Sequence, residues 1–286
     1  MKERVCQFGP ERNLVGILSE PAEKDLRPEL PVLILLNAGL IHRVGPHGMS
    51  VQLARKMAEL GVRSLRFDKG DHGDSTELAS GLSEDERVFA DVKSAMDFLE
   101  QKKVGKSFVL FGLCSGADDS YAVSLRDPRV VGVVQLDGHG FWTFWSHVVH
   151  YLPRMLRPQS FFNFFRRRLA KNSATDGMDV LVGQRRLRRP FGEKQDVERA
   201  IQSLVDRGTQ LLYFYTGSVG YYYNYAGQYF DMFKGLDPKG RIKVVYYPNV
   251  DHTYTFAQDR ERMLGELADW YLSIPWLQPG SNSPSV

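Results

Sequence analysis

Gly112-Leu113-Cys114-Ser115-Gly116 sets a thiol between two glycines, where the apolar run Ser107 to Leu113 gives way to a helical stretch from about Ser115 to Arg126. A nucleophile raised out of the chain at a strand-to-helix turn needs this spacing. Bulk two positions before or after it would strike the neighbouring strand or helix. Ser115 is the rival, but its flanks at that spacing are Leu113 and Ala117, so the register selects Cys114. The chemistry is attack by a thiolate on a carbonyl, and the N-terminus of the following helix favours the anion. A small thiol that merely packs in a glycine-rich turn is the competing account. Asp137 closes the apolar strand Val130 to Leu136, 23 residues beyond Cys114. Strand ends on that side of an open parallel sheet face a ligand crevice, although Asp137-Gly138 is also an ordinary turn pair.

Positioning such residues requires a sheet, and the chain alternates short apolar runs with stretches of helical period. Strands are expected over Arg4–Phe8, Leu14–Ser19, Val32–Leu36, Val62–Phe67, Ser107–Leu113, Val130–Leu136, Leu211–Thr216 and Ile242–Tyr247, the first two pairing antiparallel at an edge. Helices are expected over Met49–Leu60, Ser115–Arg126 and Gln258–Leu272, and another opens on the capping box Ser83-Glu84-Asp85-Glu86 and runs to about Gln101. The fold class is α/β, with helices on both faces of a mostly parallel sheet. Residues 138–207 break the strand-helix rhythm and read as an inserted lid on a core of 1–137 and 208–278, with a loose tail at 279–286.

Two cysteines, Cys6 and Cys114, do not make a disulfide framework or a Cys-built zinc site, and they suit a reducing cytoplasmic setting. No apolar run is long enough to span a bilayer, and the first residues are too polar for a secretory core. The formal charge of +3 is too small for a surface built to hold nucleic acid. That balance is uneven: the insertion carries 13 Lys and Arg against 6 Asp and Glu, a surplus of seven, which leaves the rest of the chain at −4. The insertion is also aromatic, from Phe141 and Trp142 through Phe164 and Phe165, with arginine clusters at 166–168 and 185–189.

Three motifs resemble the α/β-hydrolase superfamily, in its serine-aminopeptidase and dienelactone-hydrolase-like branches. The first is the elbow at Cys114. The second, Arg66-Phe67-Asp68-Lys69-Gly70-Asp71-His72-Gly73-Asp74-Ser75, is similar to the family's R-x-D-x-R-G-x-G-x-S loop, which is structural. Its aspartates lack the following glutamate of a calcium loop, so no metal is expected. The third, Pro248-Asn249-Val250-Asp251-His252-Thr253, lies where the family keeps its catalytic histidine. The resemblance implies His252 as the base for Cys114, with His139 and His72 as weaker candidates. It also implies an oxyanion site built from the Ser115 N–H and an N–H of Gly39 or Leu40. Many relatives read G-x-x-D after the strand Leu211–Thr216, whereas here Gly220 stands at the acid position. Thioesterase domains of polyketide and peptide synthases, and Dieckmann cyclases, place their acid after the earlier strand. Asp137 is therefore the expected orienter of His252, with Asp231 and Asp251 as fallbacks.

The resemblance implies a Cys-His-Asp acyl-transfer enzyme acting through a covalent acyl-enzyme, without a cofactor, on an ester or thioester. Thioester exchange between thiols is nearly balanced in energy, which suits a thiol nucleophile. The basic insertion would draw an acidic partner, such as an acyl carrier protein or coenzyme A. Arg43, Trp142, Tyr222 and Tyr223 are the expected substrate contacts. A small ester or lactone hydrolase of dienelactone-hydrolase type, or a silent ligand-binding member of the fold, are the alternatives.

Overall fold

The computed structural model describes residues 1–78, 81–155 and 192–276. Among them, strands β1 (Lys2–Phe8), β2 (Leu14–Glu20), β3 (Val32–Leu35), β4 (Ser64–Phe67), β5 (Phe108–Leu113), β6 (Val130–Leu136), β7 (Gln210–Thr216) and β8 (Ile242–Tyr247) form one sheet in the order β1-β2-β4-β3-β5-β6-β7-β8. β1 and β2 pair antiparallel, as does β2 with β4, and every other pair is parallel.

Side chains alternate across the pleat, so each central strand feeds two cores. Leu33 and Leu35 pack with Met49, Leu53 and Met57 of α1 (Met49–Glu59) and Met263, Leu264 and Leu267 of α6 (Ala257–Ser273). Val32 and Ile34 belong to the opposite core, with Val88, Val92 and Met96 of α2 (Glu84–Gln101) and Tyr121 and Val123 of α3 (Ser115–Arg126). Burial on both faces is why these strands read as continuous apolar runs rather than alternating ones. α2 starts at Ser83, whose hydroxyl accepts the Glu86 N–H while the Glu86 carboxylate accepts the Ser83 N–H, the expected reciprocal cap.

α4 (Phe144–Met155) follows β6, and its Phe144 and Trp145 are exposed. α5 (Lys194–Asp206) lies inside the range the sequence assigned to the lid, yet Val197, Ile201, Leu204 and Val205 are buried in the same core as Val133 and Leu211. It is a sheet-covering helix, so the core resumes well before residue 208. Apolar spacing marks a buried helical face but not which layer buries it. The arginine clusters at 166–168 and 185–189 and the tail at 279–286 lie outside the described residues. Among the described residues no helix is long and apolar enough to cross a membrane.

β3 and β5 are neighbours, and the chain builds outward from them in opposite directions. Beyond the carboxyl ends of such a pair lies a crevice. The segments after β3, β5, β6 and β8 meet there, and they carry Gly39, Cys114, Asp137 and His252 in turn.

Candidate active site

Cys114 joins β5 to α3 with φ 57° and ψ −119°, a conformation that L residues rarely adopt. Its N–H donates to Leu136 O (3.0 Å), and its carbonyl accepts the Ala117 N–H (3.0 Å), so the turn is fixed on both sides. The two glycines have a measurable cause. A Cβ on Gly112 would lie 1.9 Å from Gly116 O, and one on Gly116 would lie 2.5 Å from Asn37 O. Both clashes are with backbone, which cannot move aside. The half-buried thiol is therefore held out of the sheet at the N-terminus of a helix.

Asp137 is fully buried at the end of β6. Oδ1 accepts the Thr216 N–H at 2.7 Å, and Oδ2 accepts both the Thr216 hydroxyl and His252 Nδ1–H, each at 2.7 Å. The Asp137 carbonyl accepts the Tyr222 hydroxyl (3.0 Å). The loop that carries His252 is tied to the end of β7: Gly217 N–H donates to Val250 O (3.2 Å), and the His252 N–H donates to Ser218 Oγ (3.0 Å). A Cβ on Gly217 would lie 1.9 Å from Pro248 O, so the two loops touch backbone to backbone.

His252 is hydrogen-bonded to the Cys114 thiol as well as to Asp137. Burial pulls its imidazolium down, but the bonds to Asp137 and Cys114, and the charges on both, outweigh burial and push it up to about 10. Asp137, His252 and Cys114 form one connected line in which the acid fixes which ring nitrogen faces the sulfur.

Above this line the chain turns tightly at Gly39-Leu40, closed by Ile41 N–H to Ala38 O (3.0 Å). Gly39 has φ +53°, and its N–H donates to Ser115 Oγ at 2.8 Å, which aims the turn at the residue after the thiol. The Ser115 N–H opens α3 and has no hydrogen-bond acceptor among the described residues. Gly39 and Ser115 thus converge beside Cys114, while the Leu40 side chain is exposed.

No protein-family profile matches the chain, and no curated protein matches it in sequence. Solved structures do match. An esterase from Pyrococcus furiosus superimposes with TM-score 0.59 at 13% identity, covering 95% of this chain and 90% of that one. The esterase domain of a Rhodothermus marinus protein gives 0.54 at 17%, covering 94% and 98%. A protein of unknown function from Agrobacterium tumefaciens, assigned to the α/β hydrolases, gives 0.51 at 15%, covering 94% of each. The chain has the α/β-hydrolase fold.

On that α/β-hydrolase frame the remaining expected contacts separate. Arg43 is not available to a substrate anion: its guanidinium pairs with the fully buried Asp68 and, at 2.5 Å, with Asp74, and its N–H also donates to Asp68 (2.6 Å). Asp68 further accepts the Asn37 side-chain amide (3.1 Å), so the aspartate-rich loop after β4 serves structure. Tyr223 is fully buried, stacked on Tyr215 with centroids 3.7 Å apart, and so lines no open pocket. Tyr222 is buried too, with its hydroxyl on Asp137. Trp142 is half-buried and stacks on His147 at 4.6 Å. Of the fallback acids, Asp231 accepts the Tyr225 hydroxyl (2.6 Å). Asp251 is held at about 2, since bonds from Thr253 and Thr255 outweigh the cost of burial. His139 is buried among Tyr121, Tyr213 and Phe233. Sequence reasoning missed Thr216 and Ser218, which hold the acid and the histidine loop. Their position on either side of Gly217, at the end of the strand Leu211–Thr216, was the available signal.

Proposed function

We propose that the chain is an acyl-transfer enzyme that cleaves esters or thioesters through a covalent intermediate on Cys114, with His252 as proton carrier and Asp137 as its orienter. The observation that carries this reading is the unbroken line from Asp137 Oδ2 through His252 to the Cys114 thiol, on a strained strand-to-helix turn. The bonds to Asp137 and Cys114 that raise His252 favour a thiolate beside an imidazolium as the resting pair of this mechanism.

The thiolate adds to the substrate carbonyl, and the carbonyl electron pair moves onto oxygen. The Ser115 N–H and the Leu40 N–H are the donors for that charge, the Gly39 N–H being spent on Ser115 Oγ. Collapse expels the alcohol or thiol, which takes the His252 Nε2 proton. Neutral His252 then removes a proton from water, and the hydroxide adds to the acyl-enzyme. Expulsion of the Cys114 thiolate releases the acid and restores the ion pair.

Thioesters are the favoured donors, since a thiolate nucleophile and a thiol leaving group are matched in energy. The seven-charge basic surplus of residues 138–207 suits an acyl donor carried on an acidic partner, such as an acyl carrier protein or coenzyme A. Hydrolysis of matched oxygen and thiol esters of one acyl group tests the reading. The thioester is expected to be cleaved faster per active site, and Cys114→Ala is expected to abolish both reactions. Cleavage that survives Cys114→Ala would overturn it.

A further inference from the structure

We propose that His72 is a positioning residue that locks the Gly39-Leu40 peptide in the orientation the oxyanion donors need. The inference rests on the reading of Cys114 as the acylated nucleophile. Gly39 and Leu40 are the two central residues of the turn closed by Ile41 and Ala38, and the peptide between them is the one whose rotation converts one turn type into another. Side-chain packing does not restrain it. A Cβ placed on Gly39 would meet nothing within 4 Å, and Leu40 is 89% exposed, so no side-chain packing holds the turn.

His72 supplies the restraint. Its Nε2 lies 3.0 Å from Gly39 O and its Nδ1 3.1 Å from Gly70 O, while the Gly70 N–H donates to Asp91 on α2 at 2.8 Å. A carbonyl only accepts, so we take the ring with its proton on Nε2, donating to Gly39 O. Among the described residues no other hydrogen bond holds the Gly39-Leu40 peptide. A trans peptide keeps C=O and N–H antiparallel, so fixing the Gly39 carbonyl on His72 fixes the Leu40 N–H the opposite way. It also fixes the Gly39 residue, whose N–H points at Ser115. Rotation of the free peptide would present an oxygen where charge develops, and a carbonyl dipole opposes an oxyanion as strongly as an amide supports it.

Two reactions of the same sulfur separate this role from general support. Acylation of Cys114 by p-nitrophenyl acetate passes through an oxyanion, whereas alkylation by iodoacetamide does not. His72→Leu and His72→Asn are expected to slow acylation, followed by intact mass, by about tenfold or more while leaving the alkylation rate within about twofold. His72→Gln keeps a donor where Nε2 lies and is expected to acylate at close to the unaltered rate. Equal acylation of His72→Leu and the unaltered protein, parallel loss of acylation and alkylation, or failure of Gln where Leu fails would each overturn the proposal. Absence of acylation in the unaltered protein would instead remove the nucleophile itself, and the two failures are thereby told apart.

Discussion

Replacing Asp137 by Asn changes one atom and reverses the proton logic of the site. The carboxylate takes the His252 Nδ1 proton at 2.7 Å on Oδ2, which also accepts the Thr216 hydroxyl, while Oδ1 accepts the Thr216 N–H. An Asn can keep its oxygen toward the Thr216 amide and let the Thr216 hydroxyl turn round to accept, so the fold loses little. The amide nitrogen then faces Nδ1 as a donor, which forces the ring to carry its single proton on Nε2, pointing at the sulfur. His252 can no longer take a proton from Cys114, and the Asp137 part of what lifts it to about 10 is gone. The thiol then returns toward its ordinary pKa of about 8.5, leaving about 3% thiolate at pH 7, so alkylation by iodoacetamide slows by roughly thirtyfold. Turnover falls further, by about 10⁴, because a neutral ring with its proton on Nε2 cannot take one from the thiol or from water and is a far weaker acid than the imidazolium toward the leaving group. The assay is the iodoacetamide rate against pH in both proteins. In the unaltered protein the rate holds through neutral pH, since His252 gives up its proton only as pH rises towards about 10. In Asp137→Asn the rate climbs with the titration of an ordinary thiol. Indistinguishable profiles would refute the assignment of Asp137 and the ion pair together.

Gly112→Ala forces a Cβ to within 1.9 Å of Gly116 O, so the elbow must open. A loss of about 2 to 3 kcal/mol is expected, seen as a Tm lower by roughly 5 to 10 °C, together with loss of turnover; an unchanged Tm would show that the turn is looser than its geometry. Arg43→Ala strips the guanidinium from the fully buried Asp68. Leaving that charge uncompensated costs about 3 to 5 kcal/mol, so thermal unfolding falls while KM for an acidic substrate stays put. A raised KM at unchanged Tm would return Arg43 to the substrate site.

The parts of the site legible in the sequence are those set by local sterics and chain order. The need for glycine at Gly112 and Gly116 follows from a turn of five residues, and the strand ending at Leu136 fixes where Asp137 emerges. His252 could be placed only through the resemblance, yet its place after β8 follows from the strand count. What stayed hidden depends on pairs far apart in the chain. Arg43 and Asp68 meet across 25 residues, and a loop arginine looks the same whether it is free or paired. Tyr222 and Tyr223 lie side by side in a run that reads as a pocket lining, but Tyr215, seven residues before Tyr222, draws Tyr223 into the core. The apolar period of α5 was visible, and only the sheet shows which layer buries it.

The central claim is a covalent acyl group on Cys114. Rapid acid quench of the protein with an acyl thioester, followed by intact mass and peptide mapping, tests it most directly. The account predicts a transient gain equal to one acyl group on the peptide carrying Cys114, absent in Cys114→Ala and longer-lived in Asp137→Asn, where water is no longer activated. Turnover without any adduct, or an adduct that persists in Cys114→Ala, would contradict it.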